Sequence, residues 1–82
     1  MGSLRDRHAL VTGGGRGIGL AVAQALTVAG AAVTVLGRDR DSLERAVRAG
    51  AAKGVVVADV TDADSLSEAV AEARKARGAI DL

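Results

Sequence analysis

A chain of 82 residues with no cysteine, no aromatic side chain and a single histidine excludes a disulfide framework, a thiolate nucleophile, a zinc ribbon and base stacking on aromatic rings. Eleven basic residues against ten acidic ones leave a net charge of +1, which argues against a broad nucleic-acid or anionic-membrane surface. No apolar run approaches the ~20 residues of a membrane span, and residues 1–7 lack the apolar core of a secretory signal, so the expectation is one soluble cytoplasmic domain with no metal site.

Ala9, Leu10 and Val11 form a short apolar run that stops at Thr12 and a glycine cluster, as a buried strand does. From Ile18 the spacing becomes helical. Ile18, Val22, Ala25, Leu26 and Ala29 share one face, and Gly30 stands where a C′ glycine ends a helix. Residues 32–36 predict a second strand through Val33, Val35 and Leu36. Asp41 or Ser42 is placed to cap a second helix through Leu43, Ala46 and Val47, with Gly50 as its stop. Val55, Val56 and Val57 in succession suit a strand covered on both faces. Asp62 is an N-cap for a third helix, with Ser65 and Glu68 at capping-box spacing one turn later. Leu66, Ala69, Val70 and Ala73 make its apolar face, and Gly78 ends it. Residues 79–82 begin what reads as a fourth strand. The order β-α-β-α-β-α-β predicts an α/β fold with a parallel sheet and right-handed crossovers.

The informative stretch is Thr12, Gly13, Gly14, Gly15, Arg16, Gly17, Ile18 and Gly19, between the first strand and the first helix. That context is the one a dinucleotide fingerprint requires. Glycine turns the chain tightly, bares backbone to a pyrophosphate and lets helix and sheet pack closely, while the helix N-terminus offers unpaired N–H groups. A phosphate-binding P-loop needs Gly-Lys-Ser/Thr, and no lysine follows a glycine here. After the second strand, Arg38 can take a 2′-phosphate and select NADP, with Arg16 as a second positive charge. Asp39 keeps NAD open, and the plain alternative pairs Arg38 and Arg40 with Asp39 and Asp41 in solvent.

With these residues in place, the chain resembles the N-terminal part of the short-chain dehydrogenases/reductases. The T-G-x-x-x-G-x-G motif is present as Thr12, Gly13, Gly17 and Gly19, and the resemblance extends from about Leu4 to Leu82. It implies the N-terminal half of a doubly wound Rossmann sheet, with strand order 3-2-1 and a fourth strand beside the first, spanning residues 1–82. It also implies cofactor-binding roles for Gly13, Arg16, Gly17, Ile18, Gly19, Arg38, Asp59 and Val60, the last two at adenine. Gly37 with Arg38 resembles the NADP-preferring members. The implied parent enzyme interconverts an alcohol and a carbonyl by hydride transfer, as a cytoplasmic homodimer or tetramer. The family's catalytic Asn, Ser, Tyr and Lys fall beyond Leu82, so no catalytic residue is assigned in this chain. The alternative is a free-standing or split nucleotide-binding module without chemistry of its own.

Overall fold

Short apolar runs alternating with helical spacing fold into three strands and three helices. A computed structural model describes residues 5–13, 17–59 and 61–81. The order is β1 (His8–Thr12), α1 (Gly17–Val28), β2 (Ala32–Gly37), α2 (Arg40–Arg48), β3 (Gly54–Val57) and α3 (Ala63–Arg77). The strands form one parallel sheet in the order β1-β2-β3. Thr12 pairs with Leu36, and Gly37 with Val57, so all three strands finish at one edge.

Period-2 alternation sends the strand side chains to two separate cores. On one face Ala9, Val11, Val33 and Val35 pack with Ala23 of α1 and with Leu43 and Ala46 of α2. On the other, Leu36 and Val56 pack with Ala69 and Ala73 of α3. The helix residues at these contacts are largely alanines, whose short side chains let the helix backbones lie close to the sheet. β2 is central, and Val33, Thr34, Val35 and Leu36 are all fully buried. β3 is covered less evenly than three successive valines suggest, because Val57 at its end is 39% exposed.

The helix ends follow local chemistry. α1 finishes with Gly30 N–H donating to Thr27 O and Ala31 N–H to Leu26 O, each at 3.0 Å. α2 repeats the arrangement through Gly50 to Val47 and Ala51 to Ala46. These paired bonds satisfy carbonyls that a helix end otherwise strands. Asp62 caps α3, accepting from Asp64 N–H at 3.0 Å and Ser65 N–H at 3.3 Å.

Four sequence expectations need correction. The cap of α2 is Asp39 rather than Asp41 or Ser42: its extended backbone lets its carboxylate accept from Asp41 N–H and from both the N–H and the hydroxyl of Ser42. Ser65 forms no second capping box, because its hydroxyl accepts from Asp59 N–H at 3.1 Å. The apolar face of α1 is rotated from the one its spacing suggests. Ile18 is 85% exposed and Val22 43%, whereas Ala23 is buried and Leu20 and Leu26 pack on the core. α1 is apolar nearly all round, so spacing alone does not choose a face; the Thr27 hydroxyl, donating to Ala51 O at 2.6 Å, helps fix the rotation. Lastly, residues 79–81 form no strand, and Leu82 lies outside the described residues. One ladder-like bond, Asp81 N–H to His8 O at 2.8 Å, and one from His8 N–H to the Asp81 carboxylate at 3.0 Å bring this segment to the free edge of β1.

A buried polar relay closes the sheet's other end. His8 Nδ1 lies 3.0 Å from Gly78 O, and its Nε2 lies 2.8 Å from the Thr34 hydroxyl. A carbonyl only accepts, so Nδ1 carries the proton, and in a neutral ring Nε2 accepts from Thr34. Arg77 donates to the Thr34 hydroxyl at 3.5 Å and to Lys53 O at 3.3 Å.

Candidate functional site

The strand exits gather the chain's recognisable chemistry. Gly13 follows β1, Arg38 follows β2, and Asp59 lies two residues past β3. Backbone bonds tie these exits together: Gly13 N–H donates to Leu36 O at 2.7 Å, and Ala58 N–H to Gly37 O at 2.8 Å. Of the residues expected at a cofactor, Gly13, Gly17, Ile18, Gly19, Arg38 and Asp59 are described, while Arg16 and Val60 lie outside the described residues, as do Gly14 and Gly15.

Gly13 and Gly17 have φ of 65° and 62°. An L side chain there costs roughly 1–2 kcal/mol. A Cβ on either would meet no described residue within 4 Å, so the demand for glycine is set by backbone conformation. Such a turn can bring an anionic group against bare backbone at the start of α1, whose first turn carries no acidic residue to oppose it. Ile18 stands exposed on that first turn and Gly19 is half-buried.

Arg38 and Asp59 face one another across the exits of β2 and β3, with Nη1 to Oδ2 at 3.7 Å. The Arg38 side chain is 77% exposed. Asp59 Oδ1 accepts from the Thr61 hydroxyl at 2.6 Å and from Thr61 N–H at 2.9 Å. These two bonds, hydroxyl first, hold the Asp59 carboxyl below its ordinary value; desolvation opposes them and the Arg38 charge assists. Asp59 is therefore an acceptor at neutral pH and not a proton donor.

Arg38 does not pair with Asp39, nor Arg40 with Asp41. Asp39 caps α2, and Arg40 meets Glu44 one turn on at 3.6 Å. Thr61 and Ser65, which hold Asp59 in place, were not expected at the site. The Asp-x-Thr spacing is the sequence signal for Thr61, since an Asx turn bonds two residues ahead. Ser65 has no such signal, because its contact depends on where α3 starts. Among the described residues no group of three His, Cys, Asp or Glu is arranged to hold a metal ion, and no helix is long and apolar enough to cross a membrane.

Residues 7–82 match the family described as short chain dehydrogenase. Gluconate 5-dehydrogenase of Gluconobacter oxydans is 42% identical over 84 residues, covering 98% of this chain and 33% of that protein. D-erythrulose reductase of Gallus gallus is 48% identical over 71 residues, covering 87% of this chain and 29% of that protein. An NADPH-bound short-chain oxidoreductase of Pseudomonas aeruginosa PAO1, described as containing an atypical catalytic centre, superimposes with a TM-score of 0.81 at 35% identity, over 89% of this chain and 31% of that one. The chain spans about a third of the length of the curated relatives it matches.

Proposed function

The chain belongs to the short-chain dehydrogenase family, and we propose on that premise that residues 1–82 are the NADP(H)-binding part of a Rossmann domain. One observation carries the preference for NADP over NAD: after β2 Arg38 extends a guanidinium that is 77% exposed, while the neighbouring carboxylate of Asp39 is engaged in capping α2. A ribose 2′-phosphate approaching this exit meets a guanidinium able to bind it with two parallel hydrogen bonds.

The left-handed turn at Gly13 and Gly17 fits a pyrophosphate, because a side chain at either position would fill the space a phosphate needs. In this reading Gly13, Gly17, Ile18 and Gly19 hold the pyrophosphate and adjoining ribose through backbone, and Arg16 adds positive charge beside them. Asp59 accepts the adenine amine, with Val60 against the ring. When bound, the nicotinamide supplies hydride acceptance or donation. The residues of this chain bind and orient, and the chain holds no tyrosine that could exchange a proton with a substrate oxygen. The whole protein is, on the same reading, a cytoplasmic oxidoreductase interconverting an alcohol and a carbonyl as a dimer or tetramer.

Nucleotide fluorescence tests the assignment without interference, since the chain has no Trp or Tyr to emit. NADPH is expected to bind at least tenfold tighter than NADH. Arg38→Asp is expected to weaken NADPH by about 10–100-fold, the range for a lost charge-assisted contact, and to leave NADH weakened little. Equal discrimination in the variant and the wild type overturns the role of Arg38.

A further inference from the structure

The end of the sheet opposite the glycine turn holds a concavity of about 670 Å³. Its walls come from the chain entering β1, the starts of β1 and β2, the residue before β3 and the segment leaving α3. Four cationic side chains line it, Arg5, Arg7, Lys53 and Arg77, against two carboxylates, Asp6 and Asp81, which leaves a surplus of two positive charges. Among the described residues, Arg7 is the one of the four that makes an ion pair, to Asp81 at 3.6 Å.

Arg77 by itself has an ordinary explanation, since a cation in the last turn of a helix suits the dipole. Arg5, Arg7 and Lys53 belong to no helix, and that explanation does not reach them. Arg77 is also placed with unusual care. Its guanidinium lies over Gly54 in space a Cβ would occupy. One Nη donates to Thr34 and the other to Lys53 O, while a guanidinium carries five N–H donors, so others stay available to the concavity. Behind it the His8–Thr34 relay gives a fixed, polar floor.

We propose that this concavity binds a small multivalent oxyanion of the phosphate class, separately from the nucleotide edge. Arg77 is the preorganised donor, and Arg5, Arg7 and Lys53 supply charge. Recognition requires only the phosphate dianion, whether free or as the head of a phosphomonoester.

The test uses the 82-residue chain, melted by far-ultraviolet circular dichroism in inorganic phosphate, in glycerol 3-phosphate and in sodium chloride matched for ionic strength. The match removes general screening of the charges. At about ten times its dissociation constant, phosphate is expected to raise the melting midpoint by roughly 5–10 °C over chloride, saturably. A gain from glycerol 3-phosphate as well as from phosphate assigns the site to phosphomonoesters, and a gain from phosphate alone assigns it to the free ion. Lys53→Gln and Arg5→Gln remove exposed charges that form no ion pair among the described residues and are each expected to weaken the effect severalfold. Gly54→Ala keeps every charge but displaces the Arg77 guanidinium, and is expected to do the same. Arg38→Gln is expected to leave the effect intact. A gain that survives Lys53→Gln, Arg5→Gln and Gly54→Ala, or that disappears with Arg38→Gln, overturns the proposal, as does no gain in either phosphate over chloride.

Discussion

Gly13 and Gly17 separate two costs that usually travel together. Because a Cβ at either position meets none of the described residues, Gly17→Ala is expected to destabilise the fold by only about 1–2 kcal/mol, the backbone penalty alone, measured by urea unfolding. Its effect on NADPH affinity is expected to be larger than that, since the methyl enters the space assigned to the pyrophosphate. Asp59 gives a prediction in pH. Its folded value lies below the ordinary 3.8, so the stability it contributes is complete above that value and is lost as pH falls through the lowered one. Nucleotide affinity is therefore expected to show no Asp59 titration between roughly pH 5 and 8. Thr61→Val removes the largest cause of the depression and is expected to move the acid-unfolding limb to higher pH. The left-handed backbone at Gly13 and Gly17 and the place of Arg38 after β2 were legible in the sequence, because each depends on its own residue type and on where a strand stops. Thr61 was legible in principle, through a two-residue spacing. Ser65 was not, because its bond to Asp59 exists only once α3 is in position.

Strands and helix stops were readable at the scale of elements because each depends on neighbours in sequence. Three short apolar runs became three strands, and Gly30 and Gly50 sit where two helices end. The facing of α1 was not readable, since its segment is apolar nearly all round and offers little contrast. Packing and the Thr27 bond decide it, and substitution reads the decision. Ala23→Leu is expected to cost about 1–3 kcal/mol by overpacking the buried contact, whereas Ile18→Lys, at a position 85% exposed, is expected to change stability by less than about 0.5 kcal/mol. The opposite ranking in chemical denaturation would restore the face suggested by spacing. The start of α2 was misread for a related reason: Asp39, Asp41 and Ser42 all have capping side chains within four residues, and only the extended backbone of Asp39 distinguishes it. Asp39→Ala is expected to cost about 1 kcal/mol.

Contacts between distant residues decide what the whole molecule does, and these leave no local pattern. His8 reaches Thr34, 26 positions away, and Gly78, 70 away. Arg77 joins the same relay because Gly54 leaves room for it. Gly54→Ala and Arg77→Ala are each expected to destabilise by about 1 kcal/mol, and the double variant by little more than either alone, since both remove one interaction. Additive losses in urea would show that Arg77 and Gly54 act independently. His8 has a further consequence. With no Phe, Trp, Tyr or Pro, the chain has a single ring among its 82 side chains, and that ring is pinned between the first strand, the middle strand and the exit of the last helix. Its carbon-bound protons are the only aromatic ones the chain has, so once the N–H protons are exchanged in deuterium oxide, two lines from one side chain report whether the outer strand, the central strand and the final helix have come together.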